Sequence, residues 1–125
     1  MSGTRPHSKY LESRPIQTLM TTDEQKAKAF IERVIRAREL AAARRARRSG
    51  ALIVEDVTRE VLLARDGELC HLCGRWMCWR ETSFDHVLPL SKGGEHTLEN
   101  VKLAHRDCNS KKGDRLLSEL NLSEW

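Results

Sequence analysis

Residues 70–112 decide the fold: they open with Cys70-His71-Leu72-Cys73, pass through Asp85-His86-Val87-Leu88-Pro89, Gly93-Gly94 and Asn100, and close with His105-Arg106-Asp107-Cys108-Asn109-Ser110-Lys111-Lys112. Cys70-x-x-Cys73 can offer two thiolates from a tight turn. His105-x-x-Cys108 can add an imidazole and a third thiolate from the start of a helix, completing the four tetrahedral ligands of a closed structural zinc site. Cys78 is a rival ligand, because four cysteines alone could fill the coordination sphere. His105 is preferred since its spacing to Cys108 mirrors that of the first pair, which leaves Cys78 a free or partly buried thiol. A lone Cys-x-x-Cys would read equally well as small apolar filler. The second pair argues for metal, and a small domain drawing on two Phe and three Trp needs such a staple.

In this order and at these spacings the residues resemble the HNH endonuclease motif. Asn109 stands where the last His that names the family would be, so the chain is similar to the H-N-N subgroup. Many members also carry Cys where this chain has His105, a change zinc accepts. The resemblance implies an α+β fold of the treble-clef or ββα-metal kind, made of a zinc knuckle, two short strands and a helix. It also implies hydrolysis of phosphodiesters, most simply in double-stranded DNA.

The residues suit that chemistry. His86 can take a proton from water, being the side chain whose unperturbed pKa lies nearest neutrality. Asp85 and the amide oxygen of Asn109 are hard donors for one catalytic Mg²⁺ or Mn²⁺, preferred here over Zn²⁺ or Ni²⁺ because Asn is a weak donor to softer metals. Neighbours on a strand point to opposite faces, so the strand carrying Asp85 and His86 should end or bend there, and Pro89 is compatible with that. By analogy with the family's middle Asn, Asn100 would hydrogen-bond across the loop and fix the backbone and ring of His86. Gly93-Gly94 reads as a turn first and as a close approach to nucleic acid second. His96 reads as a solvated loop residue that nothing pairs with the site.

The chain has 125 residues, enough for one small domain and an extension. No apolar run exceeds four residues, so neither a membrane span nor the central stretch of a secretory signal is expected. A cytoplasmic protein, of a bacterial cell or a phage-infected host, follows as the expectation, and a reducing compartment favours metal-bound over disulfide-bonded cysteines. The net charge is only +4, but residues 33–48 hold seven Arg against Glu39, a local +6 that leaves −2 for the remainder.

Residues 1–20 lack periodicity and read as a flexible arm. Residues 21–50 read as a basic amphipathic helix. Thr21-x-x-Glu24 is a capping-box pattern, apolar positions 27, 30, 31, 34 and 35 mark one face, and Ser49-Gly50 mark the stop. The zinc-stabilised domain should occupy residues 51–125, with a helix from about Glu55 to Arg65 using Val57, Val61 and Ala64 as its inner face, and another over 105–112 closed by Gly113.

Arg106, Lys111, Lys112 and Arg115 flank the motif and are candidate phosphate contacts, with Lys112 placed near Cys108 and Asn109 on one helix. Arg44, Arg45, Arg47 and Arg48 could lie along a nucleic-acid backbone or simply stabilise a solvated helix end. One HNH site would nick one strand, so a double-strand break would need a homodimer or two binding events. The resemblance adds bacteriophage and mobile-element members as context, some assisting genome packaging, which makes a terminase an implied partner. The alternative is a zinc-stabilised DNA-binding or adaptor module with an inactive centre. The set Asp85, His86, Asn100 and Asn109 argues against it, since binding alone has no chemical need for them.

Overall fold

The computed structural model of the chain describes residues 21–125, and the arm read into residues 1–20 lies outside them. Helix α1 spans Thr22–Arg48. It starts where the capping box places it: Glu24 N donates to Thr21 Oγ1 at 3.1 Å, and Thr21 N donates back to Glu24 Oε1 at 3.2 Å. It stops at Gly50, whose φ of +88° suits glycine. There Ala51 N bonds to Ala46 O at 3.0 Å and Gly50 N to Arg47 O at 3.1 Å, the paired closure of a Schellman motif.

The chain divides between Arg33 and Val34 into two compact units, of which the second, residues 34–125, holds both strands and the helices after the first. Here α1 departs from the apolar face read from its sequence. The buried residues of the helix are Glu39, Ala42, Ala43 and Ala46, whereas Val34 and Ile35 of the predicted face are only half-buried. The Ala/Arg half therefore has a face to bury. With buried Glu39 at i, alanines at i+3, i+4 and i+7 complete a narrow stripe, and the arginines between them point outward. Ala42 joins the core of Val57, Leu62, Leu72, Met77, Phe84, Val101 and Leu103.

Helix α2 spans Arg59–Asp66 and begins later than its periodicity predicts. The backbone before it is committed elsewhere: Val54 bridges His96, Glu55 N bonds to His96 O at 2.7 Å, and Leu98 N donates to the Glu55 carboxylate at 2.8 Å. Two acceptors then fix the start. Thr58 Oγ1 takes Val61 N at 3.3 Å, and the buried Glu39 carboxylate takes Arg59 N at 2.8 Å. The late start also turns the helix. Leu62 is fully buried and Val61 is exposed, so the predicted face of Val57, Val61 and Ala64 is incorrect apart from Val57, which is buried just ahead of the helix.

Strands β1 (Thr82–His86) and β2 (Val101–His105) pair antiparallel, with Phe84 opposite Leu103 and His86 opposite Val101. Helix α3 (Arg106–Lys112) follows β2 without a linker and is closed by Gly113, as the sequence predicts. In the connection between the strands, a Cβ on buried Gly94 would collide with Leu88 O, so this glycine serves a tight turn. No described helix is long and apolar enough to cross a membrane.

Glu39 thus ties α1 to α2, also accepting from Arg36 Nη1 at 2.9 Å. Glu39→Ala leaves the Arg59 amide without its acceptor and should destabilise the domain by about 1–3 kcal/mol in urea unfolding. Glu39→Gln, which keeps an acceptor oxygen, should lose less.

Candidate active site and metal centre

The knuckle is a tight turn. Cys70 N bonds to Arg75 O at 2.9 Å and Gly74 N to Cys70 O at 2.8 Å, with Gly74 at φ +76°. It faces the β2–α3 junction, where His105 ends the strand and Cys108 lies in the first helical turn. The ligand atoms of Cys70, Cys73, His105 and Cys108 all lie within 4.8 Å of one another. Cys73 Sγ is 3.3 Å and Cys108 Sγ 3.9 Å from His105 Nδ1. Zinc bonds of roughly 2.0–2.3 Å in a tetrahedron require separations of this size, so the donor set fits a structural zinc ion. The other ring nitrogen, Nε2, bonds to Trp76 O at 3.0 Å, which assigns Nδ1 to the metal. Cys78 lies outside the cluster.

A separate cleft of about 220 Å³ is lined by residues that include Arg45, Asp85, His86, Ser91 and Asn109. His86 is the last residue of β1. Burial, then the neighbouring His96 and Arg45, push its pKa down to about 4, so the imidazole is neutral at physiological pH. His86 Nε2 lies 2.9 Å from His96 Nδ1. His96 is 1% exposed, so its assignment to a solvated loop is corrected. Backbone bonds with Ile53 and Glu55 draw it inward, pairing that the chain near His96 does not announce.

Asp85 is buried and holds two partners. Its Oδ2 lies 2.7 Å from His71 Nε2 and its Oδ1 3.2 Å from Lys112 Nζ. Lys112 is itself 1% exposed and also donates to His86 O at 3.2 Å. The placement of Lys112 beside a substrate phosphate is therefore incorrect: α3 turns this ammonium into the domain, where a charge requires a partner and Asp85 supplies it. Asn109 Nδ2 donates to Ser83 Oγ at 3.1 Å and Phe84 O at 3.2 Å, leaving the oxygen end of its amide uncommitted.

Asn100 clamps the loop after β1. Leu88 N donates to its Oδ1 at 2.8 Å, and its Nδ2 donates to Leu88 O at 3.0 Å and Glu95 O at 2.8 Å. These bonds all go to backbone; the His86 ring is held by His96 instead. Of the other candidate cations, Arg44, Arg45, Arg47 and Arg48 are exposed, and Arg45 lines the His86 cleft. Lys111 sits over the Trp125 ring at 4.4 Å. Arg115 folds back onto the carbonyls of Lys111 and Lys112, at 2.7 and 3.2 Å. Arg106 lines a different cleft, with Arg75 and Arg80 beside the zinc ligands.

Residues 70–115 match the family model for HNH endonuclease. Over this segment the chain is similar to HNH endonuclease domains. No curated protein matches the chain. The HNH domain supplies the two-stranded α+β frame and the zinc knuckle, and its family points to a nuclease acting on nucleic acid. Sequence reasoning missed two of its histidines, His71 and His96. The available signal was their number, since four of the five histidines in the chain fall between residues 71 and 105.

Two tests follow from this geometry. Elemental analysis should find one zinc per chain, and a strong chelator should abolish the thermal transition, while Cys78→Ser changes neither. Lys112→Met, which strands the Asp85 charge, should cost about 3–5 kcal/mol in chemical denaturation of the zinc-loaded protein. Lys111→Met, which loses only the exposed contact over the Trp125 ring, should cost no more than about 1 kcal/mol.

Proposed function

We propose that the protein is a metal-dependent endonuclease that hydrolyses phosphodiester bonds of double-stranded DNA. The observation that carries this reading is a neutral His86 lining a cleft with Asp85 and Asn109 inside an HNH domain. His86 is the general base: a neutral imidazole has a lone pair for a proton of the attacking water. Asp85 and the Asn109 amide oxygen would hold a Mg²⁺ or Mn²⁺ ion. They suit it in kind, because both are hard oxygen donors and each Asp85 oxygen, with two lone pairs, can accept more than its present partner. When bound, such an ion supplies charge stabilisation for the departing oxygen.

The protein's own groups do the remaining work. His71 and Lys112 hold the Asp85 carboxylate in place. Asn100 sets the loop that follows His86. Arg45 supplies positive charge at the cleft, and Arg44, Arg47 and Arg48 extend it along α1 as backbone contacts whose contribution falls with salt.

Conversion of supercoiled plasmid tests the proposal, run with Mg²⁺, Mn²⁺, Zn²⁺, Ni²⁺ or a chelator. Cutting should appear with Mg²⁺ and Mn²⁺, be weaker with Zn²⁺ and Ni²⁺, and disappear in a folded, zinc-loaded His86→Ala protein. DNA binding without cutting under every condition would replace the enzyme with the binding module.

A further inference from the structure

A hydrogen bond joins His86 to His96, and its direction sets which ring nitrogen of His86 is left free. The ring centroids are 5.1 Å apart and the planes meet at 51°, with His86 Nε2 facing His96 Nδ1 at 2.9 Å. One hydrogen lies between them, and two neutral arrangements are possible. In the first, His86 Nε2–H donates, both rings carry their hydrogen on Nε2, and His86 Nδ1 keeps a lone pair. In the second, His96 Nδ1–H donates, both rings carry it on Nδ1, and His86 has no lone pair left for the cleft. Neutral histidine intrinsically prefers the Nε2–H form, so the first arrangement satisfies that preference twice and the second violates it twice.

Two further observations bear on His96. Its backbone is fixed on both sides, N to Ile53 O at 3.1 Å and O from Glu55 N at 2.7 Å, so the ring cannot drift from His86 without breaking the bridge to Val54. Its own Nε2 is buried and has no hydrogen-bond partner among the described residues. An orphaned polar atom is a costly way to fill space that an apolar ring could fill, which is the signature of a residue held for its other nitrogen. Among the described residues no hydrogen bond engages His86 Nδ1, and His86 lines the cleft.

We propose that His96 is a positioning residue, accepting a hydrogen bond from His86 Nε2 and so fixing His86 in the tautomer that offers an unprotonated Nδ1 to the cleft. The tautomer stands on the geometry of the pair and the intrinsic preference of neutral histidine; its consequence for catalysis rests on the nuclease reading above.

Long-range ¹H–¹⁵N correlation spectra of the full-length, zinc-loaded protein at neutral pH read the tautomers directly. Wild type should show His86 and His96 both protonated at Nε2. His96→Ala should give His86 a mixture of tautomers, and His96→Asn, whose amide oxygen can stand where Nδ1 was, should restore the single form. In plasmid cleavage His96→Ala should lower kcat by about ten- to a hundredfold with KM within about twofold of wild type, and His96→Asn should recover most of the loss. A wild-type spectrum with His86 protonated at Nδ1 would overturn the proposal whatever the variants do. An unchanged His86 tautomer in folded His96→Ala would do the same. Absence of cleavage by wild type, with the expected tautomers present, would sink the nuclease reading and leave the positioning role intact.

Discussion

The four-ligand cluster at the β2–α3 junction is the constraint on which the rest of the domain depends. His105 ends a strand, caps a helix and supplies a ligand atom, so one residue sets where β2 stops, where α3 starts and how both face the knuckle. A two-stranded sheet with one short helix has little independent stability. Fixing this corner sets the register of β1 against β2, and with it the positions of Asp85 and His86 at the strand end and of Asn109 on the helix. The zinc-fitting cluster and the His86 cleft thus share a scaffold while using different residues.

What could be read from the sequence was what is coded locally. The Thr21 capping box, the stop at Ser49-Gly50 and each of the two Cys/His ligand pairs rest on spacings of three or four residues, the order of knuckle, strands and helix is what the family resemblance implies, and the structure shows each. What could not be read depends on partners far away in sequence. Lys112 looked like one more surface cation because nothing near it signals Asp85, 27 residues earlier. His96 looked solvated because its burial comes from an extended segment at Val54. The face of α2 was misread because its start is set by Glu39, a residue of another helix.

The Ala/Arg half of α1 shows how a weak signal conceals a specific device. Alanine contributes little apolar area, so the stripe of Ala42, Ala43 and Ala46 barely registers as an amphipathic face. Small side chains nonetheless let a helix approach closely, and the intervening arginines stay exposed. The helix is held by specific bonds as much as by burial: Arg38 reaches Trp79 O at 2.9 Å and Glu39 receives the first amide of α2. Arg45 is thereby carried to the cleft by a rigid element, where a loop arginine would first have to be ordered.

Lys112 has a consequence for whatever enters the cleft. A buried carboxylate with no counter-ion would project negative potential toward the space occupied by an incoming phosphodiester, and low-dielectric walls would carry that repulsion farther than bulk water does. With the ammonium 3.2 Å away, the Asp85 charge in the cleft lining is half of a dipole in place of a monopole, and its field fades quickly with distance. The cation that looked like a hand for the substrate instead removes the charge that would have turned the substrate away.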